Sequence, residues 1–198
     1  MEICDFYTKV LGLQNEELLE ELLAVSKYEY FPKKSIIFNE GDNTSHTSFL
    51  VQGILRGYFS DDNGNEITDC IRTECGSPTV MSDGLHTIPS VSLETLTECE
   101  FISIPISKIQ ELQTKYIEVA LLYNKFLLSA FAEHWEVKTV LYRYSALERY
   151  KWFLNKYPGL IDKISNKHIA SYLNITAVTL SRLRSEISKN ETAVNDEN

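Results

Sequence analysis

Ser165-Asn-Lys-His-Ile-Ala-Ser-Tyr-Leu-Asn-Ile-Thr-Ala-Val-Thr-Leu-Ser-Arg-Leu-Arg-Ser-Glu-Ile-Ser-Lys-Asn190 divides into two short helical patterns joined by a hinge of three or four residues. The first pattern carries Ile169, Ala170 and Leu173 on one face. The second carries Leu180, Leu183 and Ile187, spaced i, i+3, i+7, as an amphipathic helix requires. Between them lie Asn174 and Ile175. A turn between steeply crossing helices needs a residue that tolerates positive φ, and Asn is the next choice after Gly. Ala170 is small where the helices would come closest, and Ile175 can plug the core beneath the turn. This is the pattern of a helix-turn-helix. Thr176 is a natural N-cap for the second helix, whose outward residues are Ala177, Val178, Thr179, Ser181, Arg182 and Arg184. That small, polar and basic face suits a DNA major groove. An ordinary helical hairpin on a globular core would share the apolar spacing but would not call for the basic face.

The charge distribution strengthens this reading. The 198-residue chain has a net charge of −9, which alone argues against nucleic acid. Residues 1–138, however, hold 10 Lys and Arg against 22 Asp and Glu, whereas residues 139–190 hold 9 against 3. The positive charge gathers around the helical pair, as phosphate binding requires. Lys167, Arg184 and Lys189 are the phosphate candidates; Val178, Thr179, Ser181 and Arg182 are the candidates for base edges. Residues 191–198 add three acids and read as a disordered tail.

No apolar run approaches the ~20 residues of a membrane span, and no basic-then-apolar leader opens the chain, so a cytoplasmic location is expected. Cys4, Cys70, Cys75 and Cys99 lack metal-ligand spacing and read as buried free thiols. His46, His86, His134 and His168 are scattered, so no metal and no cofactor is expected. There is no Gly-x-Ser-x-Gly elbow and no phosphate-cradling glycine loop, which argues against an enzyme.

Upstream, residues 14–25 form a short acidic amphipathic helix with Leu18, Leu22 and Val25 on one side. From Tyr28 to Cys99 the period changes to short β-type runs: 31–38, 48–52, 54–59, 66–72 and 92–96. Asn63-Gly64 is the preferred pair for a type I′ hairpin. Strands at this spacing with no helix among them indicate a small antiparallel barrel or sandwich. Ser107 with Gln110 fits a capping box ahead of a short helix. A long helix from about residue 115 to 142 follows. Its Ile117, Leu121, Asn124, Leu128, Phe131, Trp135, Lys138 and Tyr142 recur three and four residues apart. This stripe outruns what a small barrel can cover, so pairing with a second copy is expected, with Asn124 as a register-setting polar pair. The other reading is a helix lying on its own barrel. Ser145 with Glu148 forms another capping box, starting a helix that ends near Tyr157-Pro158-Gly159. Tyr142, Tyr144, Tyr150 and Trp152 read as core between domains.

Phe38-Asn-Glu-Gly-Asp42, Gly53-Ile-Leu-Arg-Gly-Tyr58, Glu148-Arg-Tyr150, Ile169-Ala-Ser-Tyr-Leu173 and Thr179-Leu-Ser-Arg182, in this order, resemble the Crp/Fnr family of bacterial transcription regulators, in a Bacteroidetes-type branch. The resemblance covers nearly the whole chain. It implies an α+β fold: a β-roll (a double-stranded jelly-roll of the cyclic-nucleotide-binding kind) over residues 1–114, a dimerisation helix over 115–143 and a winged helix-turn-helix domain over 144–190. It implies a homodimer on a palindromic double-stranded operator, with the second motif helix as recognition helix and Arg182 in the place of a base-contacting arginine. Val178 and Ala177 stand where many members carry a Glu and an Arg, so a different operator is implied. The cassette departs further. Ser77 follows Gly76 where a Glu would stand, and Pro89-Ser90 replaces Arg-Ser; no Lys or Arg occurs between Arg72 and Lys108. A buried phosphate without a cation loses its charge-assisted bonds, which argues against cyclic AMP in the usual mode. Gly76, Ser77, Thr79, His86 and Ser90 remain the candidates for an effector pocket, with the effector unidentified. The competing expectation is a sensing or partner-binding β-roll protein that no longer binds DNA.

Overall fold

The computed structural model describes residues 1–79 and 88–195, and of residues 188–195 only the backbone. His86 and the side chain of Lys189 therefore lie outside the described residues, as do residues 196–198. Among the described residues, seven strands form two antiparallel sheets that face each other: β1 (Lys27–Phe31), β2 (Ile36–Phe38), β3 (His46–Gln52), β4 (Leu55–Ser60), β5 (Glu66–Arg72), β6 (Ser92–Thr95) and β7 (Cys99–Pro105). One sheet has the order β1-β7-β3 and the other β2-β6-β4-β5. Phe38, Leu50, Leu55, Leu93, Cys99 and Phe101 point inward and fill the space between them.

β7 is the middle strand of its sheet, pairing Phe101 with both Glu29 and Leu50, yet it falls outside the runs read from the sequence. Its period-2 signal is hidden because both faces are covered. Phe101 faces the roll interior, whereas Ile102 and Ile104 face a layer of helices. That layer begins with α1 (Ile3–Asp5), which opens into a wider turn at Phe6–Val10, and α2 (Glu16–Val25). Phe6 and Tyr7 are fully buried against Phe49, Ile102 and Ile104. The Asn15 side chain caps α2 by accepting from the Leu18 N–H at 3.0 Å.

Two expected local features differ. In the β4–β5 hairpin only Gly64 takes positive φ, while a type I′ turn needs it at both central residues. The connection is a longer loop closed by Asp61 N–H to Asn65 C=O at 2.9 Å, with the Asp61 carboxylate accepting from the Asn63 and Asn65 amides. The Ser107–Gln110 capping box is also absent. α3 (Ile106–Lys115) follows β7 directly, with Pro105 as N-cap, so helical turns begin before Ser107.

α4 (Ile117–Arg143) is the long helix. α5 (Ala146–Lys156) opens with the full Ser145/Glu148 capping box, and a 3₁₀ turn at Leu160–Asp162 leads to α6 (Asn166–Tyr172) and α7 (Ala177–Asn195). α7 continues five residues past position 190, through the stretch expected to begin a disordered tail. Among the described residues all strands precede α3, so the wing that the resemblance implies is not present there. Among the described residues, no helix is long and apolar enough to cross a membrane. The C-terminal helices share one core with the roll: Tyr150, Phe153, Ile169, Tyr172, Leu173 and Leu180 pack with Ile54, Ile71 and Leu96.

Candidate nucleic-acid interface

α6 and α7 are the two helices of the motif, and the turn between them forms as its local chemistry dictates. Asn174 takes the left-handed conformation at φ 49°, and the Ile175 N–H reaches the Ala170 carbonyl at 3.0 Å. The Thr176 hydroxyl accepts from the Thr179 N–H at 3.0 Å and caps α7. Leu180 is fully buried, with Leu183 and Ile187 packed on the same core. This leaves Ala177, Val178, Ser181 and Arg182 exposed on the opposite side, Val178 by 60 %. Thr179 is half-buried. Arg184 turns back along the motif, donating to Asn166 Oδ1 at 2.7 Å, so it braces α6 against α7.

α6 is held by the roll. The Ser171 hydroxyl accepts from the Thr68 N–H at 2.8 Å and donates to the Glu66 carbonyl at 3.0 Å, completing the edge of β5 with a side chain. Lys167 Nζ lies 3.3 Å from the Glu66 carboxylate. Beneath α6, Arg56 is 2 % exposed, bonded to Glu94 at 2.8 Å and Glu66 at 2.6 Å, with its guanidinium 4.2 Å from the Tyr58 ring centre. The Arg56 bond, helped by Lys167, holds the Glu66 carboxyl below the usual carboxylate range. A buried cation needs such partners, because an unpaired one carries a heavy desolvation penalty. His168 Nδ1 is buried here without a hydrogen-bond partner among the described residues; burial, then Arg56, pushes its ring below its ordinary value.

α4 has two apolar faces. Val119, Leu122, Tyr123 and Phe126 pack on the roll and its helical layer. Ile117, Leu121, Leu128, Phe131, Trp135 and Tyr142 are 60–82 % exposed, and Asn124 is exposed between them. The face lying on the roll is thus a different face from the heptad-like stripe.

A cavity of about 620 Å³ lies between α4 and the roll, lined in part by Arg72, Gly76, Ser77, Lys125, Glu133 and Lys156. Gly76 has φ 92°, and a Cβ there would meet Val10 at 2.9 Å, so the tight approach of this loop to the N-terminal helix needs glycine. Arg72 is paired with Glu133 across the cavity, and Lys156 with Glu136. Burial raises the Glu136 carboxyl, but the bonds from Lys156 and Trp152 outweigh it and hold it low. Thr79 instead faces a separate cavity of about 530 Å³ at the mouth of the roll, where it bonds Ser48 through backbone and side chain. Ser90 is exposed and lines neither cavity.

No family model and no curated protein matches the chain at the level of sequence. Solved structures match its fold. FixK2 from Bradyrhizobium japonicum superposes with a TM-score of 0.74 at 19 % identity, over 84 % of this chain and 86 % of that one. The c-di-GMP responsive global regulator CLP from Xanthomonas campestris gives 0.74 at 15 % identity, over 89 % and 93 %. A Eubacterium rectale protein assigned to the Crp/Fnr family of transcriptional regulators gives 0.70 at 17 % identity, over 94 % and 88 %. The chain has the Crp/Fnr fold.

Within that Crp/Fnr fold, the candidate base-reading residues Val178, Ser181 and Arg182 come together on one exposed face, while Thr176 and Thr179 are engaged in the cap. Lys167 and Arg184, read from sequence as free to meet phosphates, are both partnered within the chain. The effector candidates are divided: Gly76 and Ser77 line one cavity and Thr79 another. The cations near Gly76 come from β5, α4 and α5, residues 72, 125 and 156, and no local motif brings these positions together.

Proposed function

We propose that the protein is a homodimeric, sequence-specific DNA-binding transcription regulator and not an enzyme, with residues 1–114 as effector domain, 115–143 as dimerisation helix and 144–190 as reading domain. The observation that carries this reading is the division of α7: an apolar side built into the core and a face of Ala177, Val178, Ser181 and Arg182 in its first two turns left to solvent. A recognition helix needs both, since the core side fixes its direction and the outer side must reach base edges. The exposed stripe of α4 supports the dimer. Burying each large apolar side chain of that stripe against a second copy contributes about 1.5–3 kcal/mol. Two reading heads then meet half-sites about one helical turn (~34 Å) apart. Arg182 is the principal base reader, with Val178 offering an apolar contact to a thymine methyl. Lys189 is a further phosphate candidate.

The cavity beneath α4 holds Arg72 and Lys156 already paired with Glu133 and Glu136, and residues 73–107 contain no Lys or Arg. This supports a regulator that does not use cyclic AMP in the usual mode. Selection of bound DNA from a random pool, with and without cyclic AMP or c-di-GMP, tests the reading. A roughly palindromic sequence whose binding weakens steeply with salt is expected, unaffected by cyclic AMP. Absence of selective binding at low ionic strength overturns it in favour of a β-roll protein with no DNA role.

A further inference from the structure

We infer that Arg149 is the positioning residue that sets the angle between the long helix and the reading head, and so the half-site spacing the dimer accepts. The inference rests on the DNA-reading proposal. Arg149 donates from Nε to the Tyr144 carbonyl at 3.0 Å, and from Nη1 to the Leu173 carbonyl at 2.8 Å and the Asn174 carbonyl at 3.1 Å. Tyr144 is the C-cap of α4, Leu173 is the C-cap of α6, and Asn174 is the left-handed residue of the motif turn. One guanidinium thereby fastens the C-terminal ends of two helices that are 29 residues apart by those caps.

The physical basis is the orphan carbonyls. The last carbonyls of a helix have no intrahelical partner and carry the negative end of its dipole, so a planar cation with donors on both edges satisfies two such ends together. Arg149 is itself fixed, because it lies in the first turn of α5 directly after the Ser145/Glu148 capping box. Its three bonds all go to backbone, so they constrain the path of the chain and not merely a side chain. α4 carries the exposed stripe that sets the dimer axis in the proposed function, and the motif turn sets the direction of α7. The Arg149 link is the short route between them.

Spacing is the readout that separates this role from general stability. With about 10.5 base pairs per turn, each inserted base pair rotates one half-site by roughly 34° relative to the other. On the operator selected by the wild-type protein and on versions with one, two or three base pairs inserted or removed at the centre, affinity is measured by fluorescence anisotropy. The wild type should prefer one spacing by roughly 30-fold or more, and Arg149→Ala should reduce that preference to within about threefold. Preference at base positions inside a half-site should persist in Arg149→Ala. The reverse pattern is expected for Arg182→Ala, which should lose base preference and keep the spacing preference. Arg149→Lys, which keeps the charge but cannot reach both helix ends, should also flatten the spacing profile, and it serves where thermal melting shows that Arg149→Ala does not fold. A folded Arg149 variant with the wild-type spacing profile overturns the inference. A wild-type protein that binds no DNA selectively overturns the DNA reading itself, and this inference with it.

Discussion

α6 and α7 are neighbours of similar sequence character, each with small polar and basic residues outside and aliphatic residues inside, yet their polar groups have opposite fates. On α6, Ser171 is bonded twice to β5, Lys167 is beside Glu66, and His168 is half-buried over the Arg56 cluster. On α7, Ser181 and Arg182 stand in solvent. Polarity on a helix face therefore does not by itself mark a reading surface. The same residue types hold one helix to the roll and leave the next free for a partner.

The comparison is sharpened most by Arg182→Ala. If α7 is the reading helix, this substitution should relax base preference by about 1–3 kcal/mol at one operator position. Because Arg182 is exposed, its melting temperature should match the wild type. Competition between matched and mismatched operators measures the first quantity, and equal loss on specific and random DNA would remove Arg182 from the reading surface.

Ser171→Ala tests the opposite assignment. It removes both bonds to β5 and leaves the Thr68 amide without its partner, a cost of about 1–3 kcal/mol in stability. Chemical denaturation should show the loss, while base preference within a half-site stays unchanged. A change of base preference without a loss of stability would exchange the roles given to the two helices.

The smallest effect is a pH dependence at His168. Its ring is held below the ordinary value of 6.5 by burial and then by Arg56 and Lys167, against the opposing carboxylates of Glu94 and Glu66. The unfolded chain therefore binds a proton at a pH where the folded chain does not. Stability from this group is complete above pH 6.5 and is lost as pH falls from there through the lowered folded value. Melting temperatures of wild type and His168→Gln, compared from pH 7.5 to 5.5, should converge or cross on the acid side. Parallel curves would mean that His168 is hydrated in both states.

How much was legible follows from the range of the interactions. The turn at Asn174, the Thr176 cap, the Ser145/Glu148 box and the stripe of α4 rest on residues within one or two helical turns of each other, so sequence spacing reveals them. Even some local expectations failed where a neighbour intervened. The Asn63-Gly64 loop is organised by the Asp61 carboxylate, and α3 is started by its direct continuation from β7.

By itself, then, the sequence determined the two helices of the motif and their turn, the exposed positions at the start of α7 and the apolar stripe of α4. These depend on periodicity and on caps, whose hydrogen bonds join residues i and i+3 or i+4. Only the tertiary structure decided that β7 is a central strand, that Phe6 and Tyr7 are core, and that Lys167 and Arg184 already have partners. It also decided that Arg149 joins the ends of α4 and α6. Each of these rests largely on groups brought together across tens of residues of chain, where the partner of a side chain is chosen by packing and not by spacing.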